Sequence, residues 1–564
     1  MLIASAGRSA MLASGGASVA RMLGGTEIRQ DSADPLHRRL VNVVEEMSIA
    51  AGVPVPDVFV LESEAGINAF AAGLEQGNAA VAVTRGALER LSRAELQGVI
   101  AHEFSHILNG DMRINQRLLG LSFGILVLSL VGRWVLHSAR FAGRSRGGKA
   151  SVAVLLGLAL TIIGFVGVFF GRLIKAAVSR QREMLADASA VQFTRDPTGL
   201  AGALKKIGGY STEFTATEAE EVAHMLFGRG SSAFRGWFAT HPPLPERIRA
   251  LDPTFTEADF VRQPDRGEPS PVAAEEAGPA FAASAGLAPR GDFSLADAGR
   301  IESADVGRAL HAAIPADLRE SAHAHEASWL LVVALACSDE PADNDRQRLF
   351  LEQRLGAQRA AVCLRLRREV AALDVGLRLP LLELCMPALR QRPDEQLDFL
   401  LDLVNELIEQ RAVYSLPDFV LPHVLTAWLG RRPGKAARRS HVRMRAGEAL
   451  RTLIAAVASF GHEDGERAAS AYKAGMAAVT ARRDVSAPPI TAHDPVLLRS
   501  LDTALDMLRN QSAKIKRGAL AAVLATIRHD REIRIEEMEL FRAIAATLDV
   551  PAPPLVVGAL EQRA

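Results

Sequence analysis

A chain of 564 residues exceeds one ordinary domain, so more than one is expected. Its 65 basic and 65 acidic side chains cancel, which removes the overall electrostatic support that a nucleic-acid partner needs. The three cysteines, Cys337, Cys363 and Cys385, have neither disulfide-framework nor zinc-ligand spacing, and suit a reducing compartment.

Residues 1–35 read as an N-terminal tail. Met1 to Gly25 is rich in Ala, Ser and Gly with scattered Arg, lacks an apolar h-region, and begins as a small-residue helix or a frayed end. Ala79 to Thr84 is strand-like, preceded by Asn68-Ala69-Phe70. Ser92 and Glu95 form an S-x-x-E capping box, Leu96, Val99 and Ile100 give a buried face, and Asn109-Gly110 is a stop. This helix carries His102-Glu103-Phe104-Ser105-His106. H-E-x-x-H puts two imidazoles at i and i+4 on one face, where they can share one zinc ion. Glu103 between them can act as general base on the metal's water. A lone histidine is more often a satisfied core or surface residue; two of them flanking Glu in a capped apolar helix reverse that expectation.

A catalytic zinc takes three protein ligands and keeps one position open. Glu183, in Arg182-Glu183-Met184-Leu185-Ala186-Asp187, is the candidate third ligand. Asp187, four residues on, can orient a ligand histidine through its free ring nitrogen. The bland alternative is a solvated charged helix face.

Between the two motifs lies a predicted membrane hairpin over 118–171. Ser151 to Gly171 is uncharged and almost wholly apolar, long enough to span, with Gly167-x-x-x-Gly171 as a close-packing face. Leu118 to Gly132 is shorter and spans only if Arg133 beside Trp134 snorkels to the interface; a re-entrant or half-inserted segment is the alternative. Two crossings return the chain to its starting side, so His106 and Glu183 share that side. Each lies twelve positions from its span, about 18 Å if helical. Arg113, Arg117, Arg172, Lys175, Arg180 and Arg182 flank the motif side. Arg140, Arg144, Arg146 and Lys149 occupy the connecting loop, so the positive-inside rule leans toward catalysis in the cytoplasm.

Gln263 to Gly286 is Pro/Ala/Glu/Gly-rich, and 263–292 reads as a linker. Residues 293–564 read as an all-α domain, with helical apolar spacing from Ala324 to Leu366 and Leu377 to Leu429. A weak repeat pairs Phe399–Leu421 with Ala519–Leu540. Asp530 and Glu537 of the second copy correspond to Arg411 and Asp418 of the first. With Glu536, the second copy's acids read first as a helix cap and first turn.

Several ordered blocks between Leu36 and Leu251 resemble the HtpX-like zinc metallopeptidases, related to the CAAX prenyl proteases. They are Gly66-Ile67-Asn68-Ala69-Phe70-Ala71-Ala72-Gly73, Val81 to Gly86, H-E-F-S-H through Asn109-Gly110-Asp111, the E-M-L-A-D block, and Thr240-His241-Pro242-Pro243-Leu244-Pro245-Glu246-Arg247-Ile248. The resemblance implies a mainly α chain. Residues 36–262 would be a zincin-like metallopeptidase domain with a small β-sheet, interrupted by the transmembrane hairpin. It implies one Zn2+ per chain on His102, His106 and Glu183, with Glu103 as base. His241 and Arg247 would lie near the site, where either could stabilise the oxyanion, or His241 could cap the open zinc position in a resting state. Asn68, Ala69 and Phe70 would present an edge to an extended substrate. The expected function is cleavage of membrane or misfolded proteins in quality control, at the bacterial inner membrane, with protein or peptide substrates and the lipid bilayer as partners. The family commonly carries one or two membrane helices ahead of this region, and residues 1–35 hold none. The helical tail weakly resembles two TerB-like modules and would dock a protein partner. A non-proteolytic scaffold is the alternative, against which the intact Glu103 argues. Narrow CAAX-like processing is another, against which the low hairpin count argues.

Overall fold

The β-branched run Ala80–Thr84 and the apolar run Asp57–Leu61 become the central pair of a four-stranded sheet. The computed structural model describes residues 15–73, 75–111, 125, 127–138, 149–209, 242–260, 304–338, 340–411, 416–430, 444–462, 464–479, 495–530 and 534–550. These divide into two compact units, drawn from Met1–Ile28, Ser32–Leu40 and Asp57–Ala277, and from Arg29–Asp31, Val41–Pro56 and Gly278–Ala564.

In chain order the first unit carries α1 (Gly16–Met22), β1 (Thr26–Glu27), the start of α2 (Pro35–Ala51), β2 (Asp57–Leu61), β3 (Ala69–Ala72) and β4 (Ala80–Thr84). It continues with α3 (Arg85–Arg90), α4 (Arg93–Asn109), α5 (127–138), α6 (Lys149–Thr194), α7 (Pro197–Gly209) and α8 (Leu244–Leu251). Strand order is β1-β2-β4-β3. β2 and β4 are parallel, with Asp57 opposite Ala80 and Leu61 opposite Thr84, and each outer strand is antiparallel to its neighbour. A parallel pair is covered on both faces, which is why both strands read as unbroken apolar runs. On one face Phe59, Leu61, Phe70, Ala80 and Ala82 pack with Val19, Ala20 and Leu23 of α1. A side chain at Gly16 would run into the Ala72 carbonyl, so only glycine lets α1 lie this close to the sheet. Residues 16–27, assigned to an N-terminal tail from the sequence, therefore belong to the core of this unit.

α6 is continuous over 46 residues. It packs against α5 through small residues: a side chain at Gly132 would meet Thr161, and one at Gly164 would meet Ser129. The outward positions of both helices are large and apolar, with Trp134 70% and Phe165 68% exposed. Among the described residues no helix is long and apolar enough to cross a membrane. Most of the other expected span, Leu118–Gly132, lies outside the described residues. The expected hairpin is thus described only in part.

The second unit is all-α. It holds the remainder of α2, then α9 (Ala304–Ala313), α10 (Ala316–His323), α11 (His325–Leu335), α12 (Asn344–Leu355), α13 (Ala357–Ala371), α14 (Arg378–Arg390), α15 (Asp394–Glu409) and α16 (Leu416–Trp428). It ends with α17 (Ala446–Gly461), α18 (Gly465–Ala477), α19 (Pro495–Arg509), α20 (Ala513–Ile527) and α21 (Ile535–Thr547). All three cysteines are buried thiols, and those of Cys337 and Cys363 lie within hydrogen-bonding reach of each other. The repeat falls on α15–α16 and α20–α21, and α16 packs against α21. Arg411 pairs with Asp418 in the first copy. In the second, the Glu537 carboxylate accepts the Arg534 amide at 3.0 Å, a helix cap. The expected linker, 263–292, lies outside the described residues.

Candidate metal centre

α4 begins where its sequence sets the cap. The Ser92 hydroxyl accepts the Glu95 amide at 3.3 Å, and Glu95 accepts the Ser92 amide at 2.7 Å. Lys206 of α7 adds a 2.6 Å contact to Glu95. A side chain at Gly98 would sit 2.7 Å from the Leu200 backbone nitrogen, so α4 and α7 cross backbone to backbone one turn before the motif. The helix ends at Gly110, in the left-handed conformation with φ 68°.

Within this frame His102, His106 and Glu183 converge, with one donor atom of each within 4.8 Å of the others. The two Nε2 atoms are 3.2 Å apart. Glu183 oxygens lie 3.5 Å from that of His102 and 3.6 Å from that of His106. Each ring turns its other nitrogen to a carboxylate: His102 Nδ1 to Asp187 at 2.9 Å, and His106 Nδ1 to Asp111 at 2.9 Å. With both Nδ1 protons given to these partners, both Nε2 lone pairs and the Glu183 carboxylate face one point. Acceptors so placed repel one another unless a cation or a proton stands between them.

The charges point the same way. Glu103, Asp111, Glu183 and Asp187 are each at most 4% exposed. Their four negative charges meet two guanidinium groups, Arg182 on Asp111 at 3.1 Å and Arg247 on Asp187 at 2.7 Å. Two negative charges remain, the charge of one divalent ion. Two imidazoles, one carboxylate and an adjacent unused carboxylate form the donor set of an open zinc site. Burial opposes a charge on His102, but Asp187 and Glu183 hold its proton and lift the ring to about 9. Burial raises the Glu103 carboxyl and Glu183 adds to this, while the two imidazoles and a backbone hydrogen bond from Ala71 pull it back. The net effect makes Glu103 a stronger base than an ordinary glutamate.

Arg247 lies beside the candidate ligands, as expected. It is 1% exposed, its Nε and Nη2 each donate to Asp187 at 2.7 Å, and its Nη1 is 3.7 Å from Glu183. Two of its nitrogens grip Asp187, so it holds that carboxylate against His102. His241 lies outside the described residues. Ala69 and Phe70 lie in the edge strand β3, whose Ala71 reaches Glu103. Asn68 precedes it, its amide donating to Thr84 Oγ1 at 2.9 Å and its side-chain oxygen accepting the Ala69 amide at 3.0 Å. Asp111 and Arg182 went unassigned as site residues in the sequence. The available signal was a left-handed glycine stop followed at once by an acid, which folds that acid back over the last helical turn.

This is the constellation of a metal-dependent peptidase. The profile of peptidase family M48 matches residues 35–254. Over 217 residues, the chain is 40% identical to a protease HtpX homolog of Thermoanaerobacter pseudethanolicus, covering 38% of this chain and 70% of that protein. A protease HtpX homolog of Dictyoglomus turgidum is 40% identical over 213 residues, 38% of this chain and 68% of its own. One from Bacteroides fragilis is 34% identical over 225 residues, again 38% and 68%. No solved structure matches the chain. The chain belongs to the M48 family of HtpX-like metallopeptidases.

Proposed function

We propose that the chain is a membrane-anchored zinc endopeptidase with His102, His106 and Glu183 as ligands and Glu103 as base. The observation that carries this reading is the convergence of two imidazole Nε2 atoms on Glu183 while both Nδ1 atoms are held by aspartates. When bound, zinc supplies Lewis acidity to the attacking water and to the scissile carbonyl. Glu103 takes the water's proton and returns it to the leaving amine. Ala71 fixes the Glu103 carboxylate through its backbone. β3, an edge strand beside that carboxylate, offers its free side to an extended peptide running through Asn68, Ala69 and Phe70. Asp187, clamped by Arg247, holds the His102 ring.

The apolar outward faces of α5 and α6, joined through small residues, support insertion in a bilayer. The basic flanks support a cytoplasmic active site at a bacterial inner membrane. A peptidase so placed acts on membrane or misfolded proteins, a quality-control role, and the TerB-like helical unit docks a protein partner. Comparing wild type with Glu103→Gln tests the chemistry: the variant should keep zinc and lose roughly 100-fold or more in casein cleavage. Undiminished cleavage would remove Glu103 as base. Glu183→Gln should lose zinc affinity; unchanged affinity would remove it from the ligand set.

A further inference from the structure

Asp111 is 3% exposed and shares its carboxylate between two helices. Its Oδ2 accepts the His106 Nδ1 proton at 2.9 Å, and its Oδ1 meets Arg182 Nη1 at 3.1 Å. The left-handed turn at Gly110 places it there, folding the residue after α4 back over that helix's last turn. Arg182 comes from α6 and adjoins Glu183 in the chain. One carboxylate thus links the second imidazole of α4 to the residue beside the third candidate ligand on α6.

We propose that Arg182 and Asp111 act as a positioning pair that fixes the His106 ring, with Asp111 taking the Nδ1 proton and Arg182 holding Asp111 from α6. The inference rests on His106 being a zinc ligand. Without Arg182, one oxygen of a buried carboxylate loses its charged partner, and the carboxylate is free to turn from the imidazole. The arrangement matches Asp187 and Arg247 on the other imidazole, with one difference. The Arg247 side chain is 1% exposed and that of Arg182 is 36%, so water can compete for Arg182. The His106 side of the site is therefore the more easily loosened.

The test uses the full chain in detergent, with zinc retention read by competition with a chromogenic chelator and casein cleavage read alongside. Arg182→Met should weaken zinc binding roughly tenfold, with KM unchanged and kcat restored by excess zinc. Arg182→Lys should fall between that variant and wild type. Asp111→Asn should weaken zinc binding at least as much, and the double variant should be no worse than Asp111→Asn alone, because the arginine acts only through the carboxylate. Unchanged retention in Arg182→Met, or fully additive losses, overturns the pairing. His106→Gln separates the two ideas. If it binds zinc as wild type does, the ligand reading fails; if it loses zinc while Arg182→Met keeps it, only the positioning pair fails.

Discussion

Around the two imidazoles, each side chain takes its charge from what it faces. Burial would strip His102 of its proton, yet Asp187 and Glu183 hold it there up to about 9. A metal entering this site must displace that proton. Apparent zinc affinity should therefore rise at least about tenfold per pH unit from neutrality towards 9 and then level, more steeply where the His106 ring, raised despite its burial by Asp111, still holds its proton. Calorimetry in buffers of different ionisation enthalpy should show close to one proton released from this ring. Affinity that does not change with pH in that range would mean that His102 is already bare before metal arrives. Some of this chemistry was legible in the sequence. H-E-x-x-H and E-x-x-x-D each set two groups at i and i+4, and helix geometry alone puts such pairs on one face. Asp111 was not legible from helical spacing; its only signal was the glycine stop before it, whose left-handed turn sets its position. Arg247 was legible as a neighbour of the site only through the family blocks; its grip on Asp187 depends on a fold that brings together residues 60 positions apart.

Among the elements, α2 carries a buried titrating contact of the second unit. Glu45 accepts hydrogen bonds from His311 of α9 and His323 of α10, both at 2.8 Å. Burial raises the Glu45 carboxyl, but the two imidazoles outweigh it and hold it down at about 2. Burial disfavours a charged His323, but Glu45 raises it above 6.5. Asp31 and Arg319 also act on His323, and Arg308 pairs with the adjacent Glu46. The lowered carboxyl contributes stability above its ordinary 4.5 and loses it as pH falls towards about 2. The raised imidazole contributes fully below 6.5 and loses its share as pH climbs through its raised value. Stability against urea should therefore be highest between 4.5 and 6.5, and Glu45→Gln should lower the unfolding free energy by about 1–3 kcal/mol and flatten the profile. A variant profile with the wild-type shape would show that this contact does not set it. The helices of this unit between Ala324 and Leu429 were readable from apolar spacing. The β1 strand was not, because Thr26–Glu27 gains its place only by pairing with Phe59 and Val60 of β2.

At the scale of the whole molecule, α6 carries two kinds of surface on one continuous helix. Its first half turns Leu155, Ile163 and Phe165 outward, and its second half brings Glu183 and Asp187 to the imidazoles. Replacing Leu155, Ile163 and Phe165 together by Ser should shift the protein from the carbonate-resistant membrane fraction to the soluble or aggregated one. Full retention in the membrane fraction would show that this face does not hold it there. The groups that make the site come from three separated stretches: α4, the far side of the α5–α6 segment, and α8 with Arg247. During synthesis they emerge from the ribosome in that order. While only the first has emerged, the nascent chain displays the H-E-x-x-H helix with neither Glu183 nor the Asp187–Arg247 clamp. A protease of this design lacks a complete site through most of its own translation, and its hydrolytic power arrives late, after the α5–α6 segment has been made.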